Sequence, residues 1–354
     1  MNSIVKVFKS KDYNLRFNTK TGLTIRYGKE LKDNPLYAPA PELLDIEISS
    51  GKCNGDCSYC YKSNSSKQEN QYMSFKIFKK IFKKFNLKIL TQIAFGITDV
   101  NSNPDIWKIF EYIKKRNVIP NYTTNGYGVT KEIAIKTSKL CGAVAISFKN
   151  KEITYNAVKM FTDYKINQCN IHFVLSEETY DDSLKVIEDI KNDNRLSKLN
   201  AIVFLQYKPK GVNPNIFHPL KDISKFKKIV ELCKKYNIKF GMDSCSAPLY
   251  LKTYSSNLSP LEEMCVEPCE SGLFSGYINV EGIFFPCSFV EGVGEWKEGL
   301  NILTCKSFEN DIWISEKVVE WKNKLLSSTE NCNCLRKNIC RVCPVYYNII
   351  PCIV

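Results

Sequence analysis

The chain has 354 residues, 44% of them hydrophobic and 25% charged, a formal net charge of +13, and sixteen cysteines. No run of about eighteen apolar residues is present to span a bilayer, and the opening MNSIVKVFKSKDYNLRF carries charges where a signal peptide needs an unbroken apolar region. The expected compartment is therefore the cytoplasm, where disulfide frameworks do not persist, so sixteen cysteines point to metal or cluster ligation.

Lysine is distributed over nearly every predicted helix and is not gathered into an arginine-aromatic tract, as solvated helix faces require. From residue 43 to about 243, short β-rich runs alternate with lysine-studded amphipathic runs. LLDIEISS (43–50) reads as a strand, and SFKIFKKIFKKFN (74–86) as a helix that packs Phe75, Phe78, Phe82 and Phe85 into a core. Strands follow at 90–97, 119–124, 142–148, 169–175, 200–207 and 238–243. Helices separate them at 104–117, 131–140, 152–165, 179–192 and 222–236. Regular β–α alternation implies parallel strands with right-handed crossovers. Six such units predict a partial (β/α)6 TIM-like barrel, not a closed eightfold one. The expected division is an amino-terminal segment 1–42, the barrel 43–245, a linker 246–264 and a cysteine-rich domain 265–354.

In a parallel barrel the reactive face lies at the carboxyl ends of the strands. Cys53, Cys57 and Cys60 fall in the loop after the first strand, hence at that face. Three thiolates lack the fourth ligand of a closed zinc site, and the histidines, His172 and His218, are more than a hundred residues away. Soft thiolates in a compact loop also suit iron-sulfur clusters, and three of them on a four-iron cluster leave one iron open.

This C-x3-C-x2-C motif, with Tyr59 before the third cysteine and β–α repeats after it, resembles the radical S-adenosylmethionine (SAM) superfamily. The resemblance implies a SAM-binding 4Fe-4S cluster on Cys53, Cys57 and Cys60 whose open iron is chelated by the methionyl amine and carboxylate. Reductive cleavage then gives a 5′-deoxyadenosyl radical, with the electron supplied by a partner such as flavodoxin or ferredoxin. Tyr59 flanks the adenine by the same resemblance. Relatives end their second strand in a glycine run and a glutamate that holds the methionyl amine; this chain has AFGITDVNSNPD, with Gly96 alone and Asp99 as the nearest carboxylate. Asn125, in TTNG, and Ser147, after AVAI, match the ends of the third and fourth strands, where relatives contact the cofactor.

Past residue 264 the resemblance extends to the auxiliary-cluster domain called SPASM, or its shorter twitch-like form. Cys269-x12-Gly282-x4-Cys287 fits the opening of that pattern, and the close, Cys332-x-Cys334-x5-Cys340-x2-Cys343 with a final Cys352, is irregular. Two assignments stay open: one auxiliary cluster on Cys269, Cys287, Cys340 and Cys343, or two that also use Cys265, Cys332, Cys334 and Cys352. Cys245 follows the last barrel strand, where it could donate a hydrogen atom or bind substrate, or simply pack. His172 faces the same side of its strand as Val174, toward cofactor or substrate or into the core. Cys141, Cys169, Cys233 and Cys305 read as small hydrophobes.

The resemblance implies hydrogen abstraction from a peptide or protein, as in crosslink formation or side-chain oxidation. The alternatives are chemistry on a nucleoside, RNA or small metabolite, which the positive charge permits without favouring, and a non-catalytic iron-sulfur or zinc scaffold.

Overall fold

A computed structural model of the chain describes residues 4–254, 258–334 and 337–349. Three antiparallel strands come first: β1 (Val5–Lys9), β2 (Asn14–Asn18) and β3 (Thr24–Tyr27). The β–α alternation then runs β4 (Leu43–Glu47), α1 (Phe75–Phe82), β7 (Gln92–Gly96), α2 (Ile106–Lys114), β8 (Ile119–Thr124), α3 (Lys131–Leu140), β9 (Ala143–Ser147), α4 (Lys151–Asp163), β10 (Gln168–Leu175), α5 (Tyr180–Asn192), β11 (Ala201–Gln206), α6 (Ile223–Lys235) and β12 (Phe240–Met242). Between β4 and α1 a small hairpin, β5 (Ser49–Gly51) and β6 (Asn70–Tyr72), carries the cysteine loop. These are the six units expected, followed by one more strand.

Local chemistry explains the boundaries. Ser74, Thr130, Asn150 and Asp222 each cap a helix by accepting a hydrogen bond from a backbone amide of its first turn. On α1 the apolar stripe buries Phe78, Ile81 and Phe82, with Phe85 buried just beyond and Phe75 partly buried against the same core. On the strands, alternate residues such as Ile171 and Phe173 are buried under the helices, while the intervening positions face inward.

The barrel sheet does not end at its first strand. Its order is β12-β11-β10-β9-β8-β7-β4-β13-β14-β15, where β13 (Ser275–Ile278), β14 (Ile283–Phe285) and β15 (Leu300–Asn301) belong to the cysteine-rich region. β13 pairs parallel to β4, Tyr277 opposite Asp45, so the two regions share one sheet. The span read as a linker holds α7 (Ala247–Thr253) and α8 (Pro260–Met264), the latter with a Ser259/Glu262 capping box. α9 (Glu316–Leu326) packs Trp321 and Leu325 inward.

The first three strands lie at the amino-terminal rim of the barrel. Buried Lys6 donates to the carbonyls of Leu90 and Asn117, just before β7 and β8, and the Gln168 side chain donates to Thr21 O. The opposite, carboxyl-terminal rim stays open to the cysteine loop. No helix among the described residues is long and apolar enough to cross a membrane.

Candidate cofactor site and the cysteine groups

Cys53, Cys57 and Cys60 stand on the loop between β5 and β6, at the carboxyl end of β4. The loop is closed by Cys53 N to Ser65 O (3.0 Å) and Cys60 N to Cys57 O (3.1 Å). Donors converge on its sulfurs. The Lys149 ammonium donates to Cys57 Sγ, while Asn125 Nδ2 and the Gly55 amide each reach Cys53 Sγ at 3.4 Å. A Cβ on Gly55 would come within 3.2 Å of Lys149 Nζ and 3.3 Å of Cys53 Sγ, so glycine leaves the room in which these groups meet. Burial alone would lower the Lys149 pKa, but the adjacent Tyr59 and Cys57 more than reverse this and raise it. Thiolates are the ligating form, and a held ammonium with aimed N–H groups favours them.

No three His, Cys, Asp or Glu side chains among the described residues converge on a point that one metal ion could occupy. Zinc would need its thiolates drawn to about 2.3 Å from a single centre. A four-iron cluster takes one thiolate on each of three irons and needs no single common centre. The donor set therefore fits a cluster with an open iron.

The cofactor candidates fall around this loop. Asp99, beyond β7, accepts from Asn54 Nδ2 at 2.7 Å and from the Asn125 amide, which brings Asp99, Asn125 and Cys53 together. Tyr59 donates to Phe148 O at 3.4 Å and meets Phe217 edge-on at 5.4 Å. Gly96 closes β7 in register with Glu47 and Thr123 and is exposed to the lumen. Ser147 closes β9 opposite His172. His172 has its pKa lowered to about 4 because burial disfavours the charged ring, with Asp243 pulling the other way.

Asp45, Ala94, Asn121 and Ala145 face inward on β4, β7, β8 and β9, and His172 faces the same way on β10, beside Val174 and, on β11, Val203 and Leu205. Asp45 is walled by protein yet open to the lumen, and burial raises its pKa to about 7. Sequence reasoning missed Asp45 and Glu47, although the period of two in LLDIEISS places both on the face opposite Leu44 and Ile46.

The carboxyl-terminal cysteines divide into two groups. Phe289 N donates to Cys287 Sγ (3.4 Å), Tyr346 N donates to Cys343 Sγ (3.3 Å), and Tyr346 Oη donates to Phe289 O (3.1 Å). Arg341 donates to Cys269 O at 3.0 Å. Burial, and then the neighbouring Cys287 and Cys343, push the Cys269 thiol up to about 12; burial is also the first cause that takes Cys287 up to about 11. Cys332, Cys334 and Cys340 instead line a narrow groove with Pro248, Leu251 and Val342. Cys265 is exposed at the end of α8, beside a cavity of about 320 Å³ bordered by Met242, Asp243 and Tyr250. Cys352 lies outside the described residues. Cys141, Cys169 and Cys233 are buried, and Cys305 sits beside Lys84.

Two barrel loops grip the Cys287 turn. Lys62 pairs with Glu47 (3.1 Å) and Glu291, and donates to Tyr277 Oη (2.8 Å); Lys210 donates to Ser288 O (2.9 Å) and Glu291 O (2.8 Å). Gly211, at φ +101°, lies so close to the cysteine loop that a Cβ there would be 2.0 Å from Cys60 O.

Comparison with known proteins finds a family profile and several similar folds. The radical SAM superfamily profile matches residues 48–207. Streptococcus suis SuiB bound to S-adenosylmethionine is similar over 98% of this chain and 95% of its own, at 13% identity and a TM-score of 0.75. The same protein bound to the precursor peptide SuiA gives 97% and 94%, 14% identity and 0.73. Native anSMEcpe with bound AdoMet and the Cp18Cys peptide is similar over 84% of this chain and 88% of its own, at 18% identity and 0.59. At these identities the likeness is one of fold. No curated protein matches the chain.

Proposed function

We propose that this chain, whose residues 48–207 match the radical SAM superfamily profile, is an enzyme of that kind that modifies a peptide or protein by hydrogen abstraction. Cys53, Cys57 and Cys60 would hold the SAM-binding cluster, with S-adenosylmethionine toward Asp99, Asn125 and Ser147. Cys269, Cys287 and Cys343 would hold an auxiliary cluster. Bound together, the first cluster and S-adenosylmethionine supply a hydrogen-abstracting 5′-deoxyadenosyl radical once an external one-electron donor, of the flavodoxin or ferredoxin kind, has reduced the cluster.

This chain's own residues position and insulate. The Lys149 ammonium donates to Cys57 Sγ and the Gly55 amide to Cys53 Sγ, which orients the loop sulfurs. Asp99, already oriented by Asn54 and Asn125, offers an anionic contact to the methionyl ammonium. The loop around Gly211 and Phe217 lies over Cys60 and Tyr59 and limits water there.

One observation carries the reading: Lys62 and Lys210 tie the cysteine loop and the Cys287 turn to the rim of a single lumen. Two thiol groups tied to the same rim of the barrel suit a substrate that meets the radical on one side and a second redox or docking centre on the other. The fold is shared end to end with a protein whose structure holds a precursor peptide, which supports a peptide as substrate. The positive charge argues less for RNA, because helix lysines such as Lys108, Lys136, Lys159 and Lys185 are paired with carboxylates three or four residues away.

The test is anaerobic incubation of the reconstituted enzyme with S-adenosylmethionine, a reductant and the products of neighbouring genes, read by mass spectrometry. A mass change in one peptide that requires S-adenosylmethionine and vanishes in Cys57→Ala supports the reading. A change confined to a nucleoside or RNA would overturn the peptide assignment.

A further inference from the structure

We propose that Cys245, from the turn after the last barrel strand, is the fourth thiolate of the auxiliary cluster on Cys269, Cys287 and Cys343, so that this cluster staples the carboxyl-terminal region to the barrel. The inference rests on the auxiliary site proposed above and assigns its remaining ligand.

Placement carries it. Cys245 sits in a single 3-10 turn, Ser244–Ser246, directly after β12. Asp243 fixes that turn: its Oδ1 accepts from Ser246 Oγ (2.6 Å) and Ser246 N (3.2 Å), and its Oδ2 accepts from Lys208 Nζ (2.9 Å). Lys208 then leads to the other thiols. Its ammonium lies 4.3 Å over the Phe289 ring, whose own amide donates to Cys287 Sγ. Phe289 also meets Tyr346, whose amide donates to Cys343 Sγ. Cys245 is within electrostatic reach of both Cys269 and Cys287, and Cys269 is within reach of Cys287 and Cys343.

Of the other carboxyl-terminal cysteines, Cys340 lines the groove of Cys332 and Cys334, and Cys265 is exposed just past α8. Cys245, Cys269, Cys287 and Cys343 are free thiols, not disulfides. A buried cluster of thiolates needs compensating charge, and Lys208, 3% exposed and shared between Asp243 and the thiols, supplies it.

The experiment uses the full chain with Cys53, Cys57 and Cys60 changed to alanine, so that iron reports only the carboxyl-terminal sites. After anaerobic reconstitution, iron, sulfide and the reduced EPR spectrum are compared with and without Cys245→Ala, with Cys269→Ala as the positive control. The expected result is a loss of about four irons per chain in both, while Cys265→Ala keeps them. If Cys245→Ala does not fold by circular dichroism, Cys245→Ser replaces it, and the expected result is lost iron or an altered EPR spectrum from oxygen ligation. Unchanged iron and EPR in the folded Cys245 variant would overturn the assignment alone. A parent that binds no iron would overturn the auxiliary site and this assignment together.

Discussion

Lys62 Nζ stands 3.1 Å from Glu47 Oε2, joining the residue two positions past Cys60 to the last residue of the first barrel strand. Both side chains are nearly buried, 12% and 7% exposed, and Glu291 shares the same ammonium. Removing one partner of such a group leaves buried charge uncompensated, at about 3–5 kcal/mol. Lys62→Met is expected to destabilise the protein by about 3 kcal/mol in denaturant unfolding. A loss below about 1 kcal/mol, the size of a surface pair, would mean that the network does not bind the two regions together.

Lys149 donates to Cys57 Sγ from the end of β9. A cation beside a cluster favours its reduced, more negative state, and the charge-assisted contact is worth about 1.5–3 kcal/mol. Lys149→Met should therefore lower the reduction potential of the SAM-binding cluster by about 60–130 mV for one electron. Redox titration followed by EPR checks this, and an unchanged potential would place Lys149 away from the bound cluster.

Asp99 accepts from Asn54 Nδ2 and the Asn125 amide beside the cysteine loop, and is proposed as the carboxylate that holds the methionyl ammonium. Loss of a charge-assisted contact to the methionyl ammonium predicts that Asp99→Ala weakens S-adenosylmethionine binding about ten- to a hundredfold. Equilibrium binding to the reconstituted protein measures it. The same dissociation constant in the variant would leave the amine to backbone groups.

His172 titrates at about 4 in the folded protein, against about 6.5 when unperturbed. As pH falls from about 6.5 to about 4 the unfolded chain takes up this proton and the folded chain does not, so stability is lost on acidification through that window. Asp45, raised to about 7, acts in the opposite sense, since the folded protein takes up its proton first and gains stability as pH falls below about 7. The two are separated by NMR titration of histidine-labelled protein: a ring midpoint near 4 is expected for His172, and one near 6.5 would contradict its burial.

The β–α alternation is legible because the helical stripe of Phe78 and Phe82 and the strand alternation of Ile171 and Phe173 follow directly from which faces are buried. The first three strands are not legible in the same way. In β1 the pattern is inverted, with Val5 and Val7 exposed and Lys6 buried on backbone carbonyls. The pairing of β13 with β4 is equally hidden, since it joins segments about 230 residues apart through backbone bonds that leave no mark on either. The three cysteines of the loop announce themselves by spacing. Lys62, Lys149 and Lys208 do not, because a chain with 50 lysines and arginines gives no local sign of which few are buried.

In the proposed division of labour the loop of Cys53, Cys57 and Cys60 makes the radical, while Cys269, Cys287 and Cys343 serve the substrate. The most direct measurement is 5′-deoxyadenosine formed under reducing, anaerobic conditions by two variants whose folding has been verified by circular dichroism. A four-thiolate cluster offers no vacancy for S-adenosylmethionine, so Cys343→Ala should still form 5′-deoxyadenosine while giving no modified peptide, and Cys57→Ala should form neither. Cleavage lost in Cys343→Ala, or retained in Cys57→Ala, would contradict the division of labour between the two groups.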